Sequence, residues 1–101
     1  MEKKIDTGEM VTNAQQATEW LKAMANPYRL IVLCQLLEQE LSVTQLNATV
    51  PLSQSALSQH LAILRKQELV ACRKSSQNIY YRLNNDGVRD VISIMYRQFC
   101  V

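Results

Sequence analysis

Leu57, Leu61 and Leu64 recur at the spacing of one helix face, and soon afterwards Val70, Cys72 and Lys74 alternate with Ala71 and Arg73. A change of apolar period from about 3.6 residues to about 2 means that a helix ends there and an extended segment begins. After the turn Ser75-Ser76-Gln77-Asn78, Ile79, Tyr81 and Leu83 alternate with Tyr80 and Arg82, which completes a two-stranded hairpin. A chain of 101 residues supports a single core, so hairpin and helices must share it.

Elsewhere the punctuation is helical, and the whole chain holds only two Gly and two Pro. After a polar, flexible lead over residues 1–11, Thr12-Asn13-Ala14-Gln15 has capping-box spacing and predicts a helix to about Met24. Asn26-Pro27 then supplies an N-cap and a first-turn proline for a second helix running to about Gln39, with Leu30, Leu33, Cys34 and Leu37 inward. Ser42-Val43-Thr44-Gln45 is a second capping box, opening a short helix that ends near Val50. Ser53 caps the next helix, which ends near Lys66. Asn84-Asn85-Asp86 gives caps and a first-turn acid to a last helix of about sixteen residues, with Val88, Val91, Ile92, Met95 and Phe99 on one stripe. The expected domain spans residues 12–101 and is mainly α with a small β-hairpin.

The formal charge of +2 hides an uneven distribution. Arg65, Lys66, Arg73, Lys74 and Arg82 stand against Glu68 alone in residues 53–82, whereas residues 1–52 are net acidic. A basic middle on a neutral body suits a surface that meets a polyanion. The helix that carries Leu57, Leu61 and Leu64 has an opposite arc of Gln54, Ser55, Ser58, Gln59 and Ala62. Such a face is small, polar and uncharged, where an ordinary solvated helix would favour Glu and Lys.

No stretch reaches the roughly 18 apolar residues of a membrane span, and MEKKIDTGEM lacks the apolar core of a secretory signal. A cytoplasmic protein without membrane contact is expected. Cys34, Cys72 and Cys100 cannot all pair within one chain, and none has CxxC spacing, so they should rest as thiols in a reducing compartment. No nucleophile–base pair, phosphate loop or carboxylate constellation appears, which speaks against an enzyme, and no cofactor is implied.

The order helix, helix, short helix, polar-faced helix, hairpin, helix is that of a winged helix-turn-helix. Over Pro27–Leu83 the text NPYRLIVLCQLL, SVTQL, PLSQSALSQHLAILRKQELV and the closing IYYRL resembles the ArsR family of bacterial repressors. That resemblance implies a reading helix in the major groove, which is about 12 Å wide and admits short donor and acceptor side chains. Gln54, Ser55, Ser58 and Gln59 meet that demand. Arg65, Lys66, Arg73, Lys74 and Arg82 would then meet phosphates, and Gln77 and Asn78 at the wing tip a minor groove. His60, about 60° off the leucine stripe, suits packing or a phosphate contact better than a metal. In the family the first and last helices pair two copies, which here assigns Ala17, Trp20, Leu21, Met24, Val91, Ile92, Met95 and Phe99 to a homodimer interface and implies an inverted-repeat operator in double-stranded DNA.

Metal-sensing relatives place paired Cys or several His where this chain has Ser42, Thr44 and a last helix without His, so no metal site is expected. The placement of Cys34 and Cys100 instead resembles the thiol-switch branch of the family, which includes persulfide and biofilm-growth regulators and a haemolysin activator. The resemblance implies a redox pair, Cys34 with Cys100, whose oxidation or persulfidation changes DNA affinity, with a lowered thiol pKa favouring attack. It also brings in virulence control and competition with a nucleoid silencing protein. Cys72 falls on the inward register of its strand and is expected in the core. Two other readings remain open: a metal-sensing repressor, and a winged-helix module that binds protein without a redox switch.

Overall fold

The computed structural model describes residues 7–100. Its elements are α1 (Thr7–Met24), α2 (Pro27–Gln35), β1 (Leu41–Ser42), α3 (Val43–Thr49), α4 (Gln54–Lys66), β2 (Val70–Ser75), β3 (Asn78–Leu83) and α5 (Asp86–Phe99). Together they make a winged helix-turn-helix fold, mainly helical, with a three-stranded antiparallel sheet in the order β1-β3-β2.

Most helix starts follow their caps. Asn26 Oδ1 accepts from the backbone N–H groups of Tyr28 and Arg29 at 3.0 and 3.1 Å. Ser42 and Gln45 close a reciprocal capping box on α3. Ser53 accepts from Ala56 N–H, and Asn85 from Val88 N–H. In each case a side-chain oxygen satisfies an N–H that has no partner within the helix.

Thr12 departs from this pattern. The helix has already begun at Thr7, and the Thr12 hydroxyl donates to the Gly8 carbonyl one turn back instead of capping. Residues 7–11, expected in the polar lead, are therefore helical; the remainder of that lead, residues 1–6, lies outside the described residues. α2 stops at Gln35, short of the expected Gln39, where Leu36 N–H turns to the carbonyls of Val32 and Leu33. The sheet has one strand more than the expected hairpin, because Leu41 and Ser42 pair with Tyr81 and Tyr80. At the wing tip Ser75 pairs with Asn78, which narrows the loop to Ser76-Gln77, with Ser76 at φ 56°.

The core lies where α4 meets the other elements. Leu33, Leu36, Leu46, Leu57, Leu61, Leu64, Leu69, Val88 and Ile92 are all essentially inaccessible to solvent. Burying the leucine face of α4 turns Gln54, Ser55, Ser58, Gln59 and Ala62 outward, since positions two apart on a helix point in different directions.

The exit from α4 is a Schellman turn. Leu69 N–H reaches Leu64 O at 2.9 Å, and Glu68 N–H reaches Arg65 O at 3.0 Å. Glu68 holds the left-handed position at φ 59°, normally a glycine's place, and Asn84 clamps it by donating from Nδ2 to the Glu68 carbonyl. A side chain there costs about 1 kcal/mol relative to glycine. Glu68→Gly is therefore expected to raise the thermal midpoint by a few degrees without moving the wing. A lower midpoint in calorimetry would contradict this reading of the turn.

Candidate nucleic-acid interface and thiol cleft

α3 and α4 form the helix-turn-helix. Asn47 Nδ2 donates to the Leu52 carbonyl at 2.8 Å and fixes the turn between them. The outer arc of α4 then presents Gln54, Ser55, Ser58 and Gln59, all exposed, with Arg65 and Lys66 continuing it at the C-terminal end. A shallow concavity of about 420 Å³, lined by Ser58, Ala62, Arg65, Lys66 and Tyr81, joins this arc to the wing. Tyr81 is absent from the residues singled out by sequence. Its hydroxyl is pushed above its ordinary pKa by burial and by nearby Cys72, with Arg65 opposing. The phenol therefore stays neutral, able to donate to an acceptor in the concavity.

His60 lies behind this surface. Its Nδ1 is 3.2 Å from an Arg29 guanidinium nitrogen, its ring centroid is 6.1 Å from that of Tyr28, and Arg29 Nε donates to Ala23 O. A guanidinium only donates, so Nδ1 accepts and Nε2 carries the proton. These contacts are those of a packed side chain, bracing α4 against the start of α2.

On the wing, Lys74, Gln77, Asn78 and Arg82 are exposed. Arg73 is not free in the same sense. Its Nε donates to both oxygens of Glu40 at 2.9 and 3.0 Å, and its guanidinium lies 4.7 Å from the Tyr80 ring centroid. The hydrogen bond from Arg73, more than its charge, holds the Glu40 carboxyl below the usual carboxylate range. Arg73 thus ties the wing to the body in the free chain, an engagement that residue spacing could not supply. Glu40→Ala releases Arg73, and the log-affinity versus log-salt slope for duplex DNA should steepen by about one phosphate contact per subunit. An unchanged slope would show that Arg73 had been available all along.

The cysteines sit on different surfaces. Cys34 is half-buried and lines a cleft of about 350 Å³ between α2 and α5, together with Leu37, Glu38, Arg89, Ser93, Tyr96 and Arg97. Cys100 is exposed at the end of α5, where its N–H donates to Tyr96 O at 2.8 Å. Burial raises the Cys34 thiol pKa above the ordinary 9.0, and the proximity of Cys100 raises it further. The expected lowering is therefore overturned at Cys34, because this thiol loses hydration. The folded chain favours the protonated thiol of Cys34, so iodoacetamide at neutral pH should label Cys100 at least about tenfold faster. Labelling of Cys34 should rise steadily with pH and still be rising beyond 9.0, where an ordinary thiol begins to level off; faster labelling of Cys34 than of Cys100 at neutral pH would contradict the assignment. Cys72 is half-buried opposite Tyr81 and not in the core as its register implied.

Of the residues expected to pair two copies, Met24 and Ile92 are buried in the chain's own core, and Trp20 and Val91 pack half-buried against it. Ala17, Leu21, Met95 and Phe99 remain exposed, Phe99 at 78%. Among the described residues, no group of three or more His, Cys, Asp or Glu could hold a metal ion. Nor is any described helix long and apolar enough to cross a membrane.

Residues 26–71 match the family model described as bacterial regulatory protein, arsR family. The chain is 49% identical over 92 residues to the transcriptional activator HlyU of Vibrio cholerae, covering 91% of this chain and 85% of that protein. It is 38% identical over 105 residues to the biofilm growth-associated repressor of Agrobacterium fabrum, covering 99% of this chain and 90% of that protein. The structure of reduced HlyU from Vibrio cholerae superposes with a TM-score of 0.87 at 48% identity, covering 92% of this chain and 98% of that one.

Proposed function

The chain belongs to the arsR family of bacterial regulatory proteins, DNA-binding transcriptional regulators and not enzymes, and from that premise we propose that it binds an inverted repeat of duplex DNA as a homodimer and releases it when Cys34 and Cys100 become bridged. The observation that carries this reading is the juxtaposition across α2 and α5: a half-buried thiol in a cleft, and an exposed thiol close enough to resist its ionisation. The outward arc of α4, with Arg65 and Lys66 at its end, supports insertion into a major groove. The exposed Ala17, Leu21, Met95 and Phe99 support pairing through α1 and α5, since large apolar surface seldom stays wet.

With peroxide, the exposed Cys100 thiol forms a sulfenic acid and releases water. Cys34 sulfur then attacks the Cys100 sulfur, a second water leaves, and a disulfide joins the two helices. With a persulfide donor, sulfane sulfur passes to Cys100 as the donor leaves as a thiol, and attack by Cys34 expels hydrogen sulfide. Either product ties α2, which abuts the helix-turn-helix, to α5, which carries the pairing face. The distance between two reading helices is then altered, while an operator needs them about 34–36 Å apart. A bacterial regulator of this kind acts in the cytoplasm, and competition with a silencing protein for the same duplex requires no further contacts.

Electrophoretic mobility shift, with reductant and after oxidation, tests the reading. Tight binding by the reduced protein and loss on oxidation is the expected result; equal affinity in both states removes the switch. A protein-binding module without DNA affinity would instead show no steep salt dependence on duplex DNA.

A further inference from the structure

The cleft that holds Cys34 is lined by two arginines that form no ion pair with a carboxylate among the described residues. Arg89, Ser93 and Arg97 follow one another at i, i+4 and i+8 on α5, so their side chains rise from one face, with Tyr96 beside them. Glu38 contributes the lone carboxylate of the lining, and it forms no salt bridge with either arginine among the described residues. One Arg89 guanidinium nitrogen donates to the Leu37 carbonyl, which fixes that group while leaving its other N–H donors uncommitted. Arg97 makes no hydrogen bond or ion pair among the described residues. Two guanidiniums in a concave space, flanked by serine and tyrosine hydroxyls, suit bidentate capture of a carboxylate. The volume of about 350 Å³ falls within the range of small-molecule sites.

We propose that this cleft binds a small carboxylate-bearing molecule, and that it selects among thiol-reactive compounds by their negative charge. The second half rests on the thiol-switch reading; the first does not. At about 100° per residue, Arg89, Ser93 and Arg97 lie roughly opposite Val91 and Met95 around α5, so pairing through the apolar stripe leaves the cleft open. Cys100 falls on the arginine side of the helix by the same count. A carboxylate-bearing disulfide held by Arg97 would have its sulfurs beside both thiols. Attack by a cysteine thiolate on one sulfur forms a mixed disulfide and expels the other half as its thiolate.

The test compares a dianionic disulfide, 5,5′-dithiobis(2-nitrobenzoate), with the neutral 4,4′-dithiodipyridine, on the full chain carrying Cys72→Ser. The ratio of their reaction rates should fall at least fivefold in Arg97→Gln and recover largely in Arg97→Lys. Citrate should slow the anionic probe in the parent more than equal ionic strength of sodium chloride does. An unchanged rate ratio in Arg97→Gln, with no citrate effect, overturns the site. Mobility shift after reaction with the neutral probe reads the switch separately: DNA release there with an unchanged ratio ends the anion site and leaves the switch standing, and the reverse outcome ends the switch alone.

Discussion

Cys100→Ser should hold DNA through peroxide treatment that strips the parent protein from it. For the parent, a loss of at least about tenfold in affinity is expected on oxidation, equivalent to about 1.4 kcal/mol. For the variant, affinities before and after oxidation should agree within about twofold. Removing the exposed thiol removes the group that oxidant reaches first, while Cys34, half-buried and with its pKa raised by burial, reacts slowly alone. Cys100 lies beyond the end of α5 and contributes nothing to the core, so the variant should fold and bind normally when reduced. Cys34→Ser should also lose the response, yet still form a sulfenic acid at Cys100 that mass spectrometry detects. A Cys100→Ser protein that releases DNA as readily as the parent would place the sensing group elsewhere, with Cys72 beside Tyr81 the next thiol to test.

The double substitution Gln54→Ala with Gln59→Ala should cost sequence-specific binding by roughly thirtyfold or more, because each amide can pair two atoms of an adenine edge and such a pair discriminates by about 1–3 kcal/mol. Non-specific binding and the salt slope should remain unchanged, since neither side chain neutralises a phosphate. Both residues are exposed on the first half of α4, and the buried Leu57, Leu61 and Leu64 hold the helix in place without them. Arg65→Gln with Lys66→Gln should show the opposite pattern, weakening binding to all sequences and flattening the salt slope. Loss of specific and non-specific binding in equal measure by the glutamine variant would mean that α4 meets the backbone and not the bases.

Sequence reasoning did best where structure is decided locally. Asn26, Ser42 with Gln45, Ser53 and Asn85 each satisfy N–H groups within three residues, and each marks its helix start. Thr12 and Gln15 have the same spacing but lie inside a helix that starts earlier, because a capping pattern does not itself stop a helix arriving from upstream. β1 is two residues long and exists because β3 lies alongside it, a tertiary fact with no local signal. Glu68 in a left-handed turn was equally illegible, since composition points to glycine there.

The site divides in the same way. The polar arc of α4 followed from the leucine period, because burying one face exposes the other. The tie between Arg73 and Glu40 was illegible because the two lie 33 residues apart in sequence. Met24 and Ile92 belong to apolar stripes broad enough to serve both a core and a partner, and periodicity cannot divide one from the other. The raised pKa of Cys34 depends on what α5 places over it.

The most direct measurement is the dissociation constant for a duplex selected from a random pool by the reduced protein, determined for the reduced protein and for the protein whose Cys34–Cys100 bridge has been verified by mass spectrometry. An inverted repeat bound tightly by the reduced dimer, and at least about tenfold more weakly by the bridged one, is the predicted result. Equal affinity of the two forms, or a bridge that never forms under peroxide and persulfide donors alike, would contradict it.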